Sequence, residues 1–321
     1  MTRRPLRPVL ASLVALSAVL ALAACSDDGA DPSSSPAPSP SVSSPSASSS
    51  GPASSAPAGP KVTIDGGYVA LGDSYTAAPG VPTTETQTGC LRSDHNYPSL
   101  IAASLDATSV ADVSCSGAST LSLVGAQQTT NAVLPAQFDA LGDDTALVTI
   151  GMGGNDLDLF QTLVGTCAFV AQSAPEGAPC QAQLTAGGTD QIADKIAQIG
   201  ERVTAAVAGV VDRAPNARVF VVGYPQPVPA QGTCPELPLA AGDYAFVRQA
   251  IVALDQQLQS AAEASDATYV DVLEASKGHD VCAGDEAWIQ GAQSVEGEAI
   301  ALHPFAVEQA AVAEMVLAEL G

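Results

Sequence analysis

The stretch 69–77, VALGDSYTA, runs from three apolar residues straight into Gly-Asp-Ser. Val69, Ala70 and Leu71 form a short apolar run of the kind that suits a parallel strand buried on both faces. Gly72 permits a tight turn after it, and Asp73 has the side chain of a helix cap. Ser74 is thereby placed at a strand-to-helix elbow, with its hydroxyl raised above the sheet edge. A serine at such an elbow is also a common helix cap. The rest of the chain has to choose between cap and nucleophile.

Similar short runs recur along the chain. Tyr68–Leu71, Ser109–Val113, Ala146–Ile150, Arg218–Val222 and Thr268–Val272 are rich in Val, Ile, Leu or Tyr and read as strands. Long amphipathic stretches lie between and after the later ones. Ile192–Val211 repeats apolar residues at Ile192, Ile196, Ile199 and Val203, Tyr244–Ala264 follows, and Pro304–Leu320 repeats them at Val307, Ala311, Met315 and Val316. Five strands alternating with helices predict an α/β fold with a parallel sheet covered on both faces. In such sheets ligands bind at the carboxyl ends of the strands.

Three of those ends are informative. The first delivers Ser74. The second runs into Ser114-Cys115-Ser116-Gly117-Ala118-Ser119, small residues whose backbone amides can approach a ligand closely. The third runs into Gly151-Met152-Gly153-Gly154-Asn155-Asp156, where glycines allow a tight turn and leave the Asn155 carboxamide to project. Near the end His303 precedes Pro304, a residue suited to the first turn of a final helix. Each has an ordinary structural alternative: a turn for Asn155 and Gly117, a helix start for His303. Asp73 and Asp156 read as residues that fix local turns, and His95 and His279 as loop residues.

The chain begins differently. Arg3, Arg4 and Arg7 precede sixteen uncharged, mostly apolar residues, Val9 to Ala24, and then Cys25. A basic start before an apolar core of this length predicts a secretory signal over 1–24, and it is short for a membrane span. From Ser26 to Pro60, 22 of 35 residues are Ser or Pro, too few of them apolar to offset the entropy of ordering. Residues 25–60 are therefore expected to be a tether, and 61–321 a single domain. Without residues 1–24 the chain carries 8 Lys and Arg against 34 Asp and Glu. That balance opposes nucleic acid or an anionic bilayer as a partner of the domain itself.

Apart from Cys25 there are six cysteines: Cys90, Cys115, Cys167, Cys180, Cys234 and Cys282. An even set in an exported chain implies disulfides, though 15 pairings are possible. No C-x-x-C pair occurs and the three histidines lie at no ligand spacing, so a zinc site is not expected. No cofactor is expected either.

Taken together, Gly72-Asp73-Ser74, Gly117, Gly153-Gly154-Asn155-Asp156 and His303-Pro304 resemble, in kind and order, the SGNH hydrolases, also called GDSL esterases and lipases. The resemblance spans residues 66–321. It implies a three-layer α/β/α sandwich and ester hydrolysis through an acyl-serine, with a small-molecule or lipid ester as substrate. It makes Ser74 the nucleophile and His303 the base. It assigns the oxyanion hole to the Ser74 and Gly117 amides and the Asn155 carboxamide. The six cysteines and GHDVC (278–282) more narrowly resemble secreted actinobacterial members, which implies the bridges Cys90–Cys115, Cys167–Cys180 and Cys234–Cys282. Leu22-Ala23-Ala24-Cys25 resembles a bacterial lipobox, which implies a lipidated Cys25 and an enzyme tied to the outer face of a membrane; a monomer is expected.

One position departs from the family pattern. The acid usually found three residues before the histidine is here Ile300. A main-chain carbonyl, that of Ile300, is accordingly expected to orient His303. Two other readings stay open: a carbohydrate O-deacetylase or acyltransferase on the same fold, and a surface-binding lipoprotein that does no chemistry. The loop 157–190 and the segment 225–243 are expected to wall the pocket.

Overall fold

Along the first strand the side chains alternate between two buried faces: Val69 and Leu71 on one, Tyr68 and Ala70 on the other, each at most 4% exposed. Period-two alternation sends neighbours to opposite sides of a sheet, so a strand apolar at every position needs cover on both. The computed structural model describes residues 61–321 and provides that cover. The signal, Cys25 and the tether expected in 1–60 lie outside the described residues.

The central sheet contains β1 (Gly67–Gly72), β2 (Val110–Asp112), β3 (Thr145–Gly151), β4 (Arg218–Val222) and β5 (Thr268–Val270). Their spatial order is β2-β1-β3-β4-β5, with every pairing parallel. Six helices matter here: α1 (Ser74–Ala77), α2 (Tyr97–Ser104), α3 (Thr120–Val124), α4 (Gln191–Arg213), α5 (Tyr244–Glu263) and α6 (Ala306–Leu320). Val69, Leu71, Val148, Ile150, Val219 and Val221 pack with the apolar stripes of α4 and α5. Tyr68, Ala70, Leu147, Phe220, Val222 and Val270 pack with α2 and α6. Helices, sheet and helices make the three-layer α/β/α sandwich.

Helix α4 shows how the sequence writes such a layer. Asp190 caps its start, accepting from the Ile192 and Ala193 amides at 3.0 Å. Ile192, Ile196, Ile199, Val203, Val207 and Val210 then fall on one buried face at three- and four-residue spacing.

Two expected boundaries move. The last strand stops at Val270, because Asp271 turns the chain into a short helix by accepting from the Glu274 amide. The final helix starts at Ala306 rather than Pro304. Pro304 instead bridges Ile289, and the Phe305 amide donates to the Trp288 carbonyl at 2.8 Å. His303 therefore sits on an extended connection rather than on a helix.

Cys90 joins Cys115, Cys167 joins Cys180 and Cys234 joins Cys282. Three bridges in one domain belong to an oxidising, extracytoplasmic compartment.

Candidate active site

The sheet order places β1 beside β3, and the connections from these two strands leave toward opposite sides. A crevice opens at that switch point, outside the carboxyl ends of the strands. Ser74 follows β1 and Asn155 follows β3, so the topology delivers both to one rim.

Ser74 is the first residue of α1 and 8% exposed. The turn beneath it is held from three directions. Buried Gln137 accepts from the Gly72 amide and donates to the Gly72 carbonyl, both at 2.9 Å. Asp73 caps α1 by accepting from the Tyr75 amide at 2.9 Å. Its other oxygen accepts from the Tyr224 hydroxyl at 2.6 Å. Burial raises the Asp73 carboxyl to about 7 against the pull of these two donors.

Asn155 follows two glycines of different use. Gly153 adopts φ +132°, and a Cβ on Gly154 would stand 2.2 Å from the Phe160 ring, so the loop requires a bare backbone there. The Asn155 Nδ2 donates to the Ala118 carbonyl at 2.9 Å, which aims the carboxamide and leaves its second N–H to the crevice. Asp156 locks the same pair of loops together. It is buried, accepts from the Thr120 amide at 2.8 Å and from the Thr120 hydroxyl, and meets Arg202 at 3.2 Å.

Gly117 precedes Ala118 in an exposed turn at φ +76° with open space around its Cα, the left-handed conformation that favours glycine. Among the described residues, the Ser74 and Gly117 amides have no acceptor. The Ser74 donor lies in the crevice lining, and the Gly117 donor lies outside it, next to Ala118.

His303 comes from the opposite side. Its Nδ1 lies 2.8 Å from the Ala301 carbonyl. A carbonyl only accepts, so the proton sits on Nδ1 and the Nε2 lone pair is free. This corrects the expectation for Ile300. The Ile300 carbonyl already accepts from the His303 backbone amide at 3.1 Å, in a turn where Leu302 takes φ +61°. That turn brings the ring back onto the next carbonyl, Ala301. Burial pushes the imidazole below its ordinary 6.5, and Ala301 only partly offsets it. Among the described residues no carboxylate bonds to the ring, and Glu296 and Glu298 are exposed. Tyr75 supports the ring from one side, 5.5 Å between centroids, and its hydroxyl donates to the Leu302 carbonyl at 2.8 Å.

Ser74, Asn155 and His303 line one cavity of about 370 Å³. Ser74 and His303 share its wall without a direct hydrogen bond among the described contacts. In unliganded sites such bonds are often long and tighten around substrate. Phe160, Val164, Pro225, Pro227, Ile251 and Leu302 make the rest of the wall largely apolar. The expected pocket segments thus contribute only their first parts. Gly117 lies outside this lining, one residue from the carbonyl that holds Asn155.

Four supporting residues escaped the sequence reading: Tyr75, Gln137, Tyr224 and Gln309. Gln309 on α6 donates to the Tyr75 carbonyl at 2.9 Å and accepts from the Tyr97 amide at 2.8 Å. Only Tyr75 carried a signal, as the residue beside Ser74. The others act through partners 65 to 234 residues away in sequence.

Known proteins resemble this chain in sequence and in fold. The model of the GDSL-like lipase/acylhydrolase family matches residues 70–306. Lipase 2 of Streptomyces coelicolor is 39% identical over 273 residues, covering 83% of this chain and 89% of its own. The lipase of Streptomyces rimosus is 34% identical over 226 residues, covering 68% and 74%. The crystal structure of phospholipase A1 from Streptomyces albidoflavus NA297 superposes with a TM-score of 0.66 at 28% identity, covering 80% of this chain and 100% of that one. The chain belongs to the GDSL-like lipase/acylhydrolase family, and it is a carboxylic ester hydrolase.

Proposed function

We propose that this chain is a membrane-anchored esterase or lipase that works through an acyl-serine, with Ser74 and His303 as a dyad. The observation that carries the reading is the shared cavity, lined by a serine, a neutral imidazole and an aimed carboxamide together with apolar side chains. The His303 Nε2 takes the Ser74 proton as Oγ attacks the ester carbonyl. The carbonyl oxygen, now negative, receives the Ser74 and Gly117 amides and the Asn155 Nδ2. Protonated His303 gives its proton to the leaving alcohol, and water then releases the acid by the same steps in reverse. The Ala301 carbonyl keeps the tautomer and ring angle through the cycle.

The apolar wall supports an aliphatic acyl group over acetate, which would leave most of the cavity unfilled. The structural neighbour described as a phospholipase A1 adds phospholipid esters to the substrates worth assaying. Anchoring rests on the lipobox-like stretch ending at Cys25, with residues 25–60 as the tether.

Hydrolysis of nitrophenyl esters of increasing chain length tests the chemistry. Wild type is expected to prefer chains longer than acetyl, and Ser74→Ala to lose hydrolysis of all of them. Near wild-type rates in Ser74→Ala would mean another nucleophile. For the anchor, Cys25→Ala is expected to leave the membrane fraction or fail to mature. Unchanged mass and membrane association would exclude lipidation.

A further inference from the structure

The Tyr224 hydroxyl is buried between the two loops that carry the proposed nucleophile and oxyanion donor. It donates to Asp73 Oδ2 at 2.6 Å and accepts from the Gly154 amide at 2.9 Å. Asp73 is the residue before Ser74, and Gly154 the residue before Asn155. One oxygen atom therefore ties both loops together, each one peptide bond from a reacting group.

Tyr224 is itself fixed at both ends. Its backbone amide donates to Asp255 Oδ1 at 2.8 Å, and the same oxygen accepts from the Tyr269 hydroxyl at 2.8 Å. A Cβ on Gly223 would stand 2.5 Å from Asp255 Oδ1 and 2.4 Å from the Tyr269 hydroxyl, so only glycine lets the chain come this close. The Tyr224 ring meets Tyr75 at 5.2 Å and Phe160 at 4.9 Å between centroids, both edge to face. Tyr75 in turn flanks His303, and Phe160 lines the cavity. This side chain does not itself line the cavity, yet its ring packs on two residues that do and its hydroxyl bonds to the neighbours of Ser74 and Asn155.

We propose that Tyr224 is a positioning residue for ester hydrolysis: its hydroxyl sets the spacing between Ser74 and Asn155 by joining Asp73 to Gly154. The inference rests on the roles given above to Ser74 and Asn155. A tetrahedral intermediate requires the attacking oxygen and the oxyanion donors at one fixed separation, and misplacement by an ångström is costly. Two hydrogen bonds to a common oxygen hold that separation more tightly than independent bonds to separate partners.

Tyr224→Phe removes the oxygen and keeps the ring. The expected result is a fall in kcat of about ten- to a hundredfold with KM for a short soluble ester within about twofold. In an Asn155→Ala background the same change should cost distinctly less, because the loop it positions has lost its donor. A kcat within about twofold of wild type, or full additivity with Asn155→Ala, would overturn the inference. If Tyr224→Phe does not fold, Asp73→Ala tests the bond from its other end, since it leaves the tyrosine hydroxyl no side-chain acceptor at that site. The same fall in kcat is expected there, and an unchanged kcat overturns the inference equally. Ser74→Ala separates the two levels. Should it abolish hydrolysis while Tyr224→Phe stays at wild-type kcat, this inference alone fails; should it stay active, the nucleophile assignment fails.

Discussion

Ser74 and Asn155 stand at the ends of adjacent strands, tied down by buried side chains, whereas His303 hangs on a connection held mainly by main-chain bonds. On the strand side Gln137, Tyr224 and Asp156 each make two buried hydrogen bonds across long sequence separations, and Asp73 adds one such bond to its local cap. On the histidine side, beside side-chain bonds from Tyr75 and Ser294, most bonds run from backbone to backbone: Ile300 to Pro79 at 3.1 Å, Leu302 to Gly291 at 3.0 Å, and Gln290 to His303 at 2.9 Å. Main-chain bonds do not depend on which side chain a residue carries. The difference teaches where substitutions should hurt: in many places on the strand side, and on the histidine side at few beyond the imidazole itself.

The largest effect belongs to the imidazole. His303→Ala is expected to lower kcat by about 10⁴-fold or more while circular dichroism stays that of wild type. A loss of only a few-fold would mean that some other group takes the serine proton. Next comes Asn155→Ala, expected to cost about 10²–10³ in kcat with KM little changed, the usual scale for one oxyanion donor. A KM effect without a kcat effect would make Asn155 a binding residue instead.

The pH dependence of stability sharpens the same contrast. The strand side buries acids whose carboxyls are raised by desolvation, Asp73 and Asp255 to about 7, and Glu308 on α6 is raised to about 8. Between about pH 4 and these values the native state holds protons that the unfolded chain has released. Stability therefore falls as pH rises through that window. Buried Asp112 is raised by desolvation as well, and His303, lowered by burial, opposes this below its ordinary range, one group against four. Urea midpoints are expected to be higher at pH 5.5 than at pH 8; equal midpoints would show that the buried acids ionise freely. The smallest effect is expected on the histidine side. Glu296→Ala and Glu298→Ala should each leave kcat within a few-fold of wild type, because a carbonyl rather than a carboxylate orients the ring. A collapse in either would restore a triad.

What the sequence could announce follows the same division. The strand side was legible because each functional residue follows directly on an apolar run: Ser74 after Val69–Leu71, Asn155 after the strand beginning at Thr145. Local grammar is enough there. The orientation of His303 was not, because it turns on which of two neighbouring carbonyls a tight turn leaves open. Ile300 and Ala301 are adjacent, and in a turn with Leu302 at φ +61° the Ile300 carbonyl takes the His303 amide while the Ala301 carbonyl takes the ring. The helix expected to start at Pro304 shifted for a related reason, since the Trp288 carbonyl captures the Phe305 amide. Gln137 and Tyr224 were invisible because nothing beside them in the sequence marks a glutamine or tyrosine that bonds to a turn 65 or 151 residues away. Side chains that act at a distance leave no local pattern.

The central claim is that Ser74 forms the acyl intermediate with His303 as its only side-chain partner. Rapid acid quench during turnover of a nitrophenyl ester, followed by peptide mass mapping, tests it most directly. The account predicts an acyl mass on the peptide containing Ser74 in wild type and in Glu296→Ala and Glu298→Ala, and none in Ser74→Ala or His303→Ala. An acyl group on another residue, or turnover with no acyl-enzyme on Ser74, would contradict it.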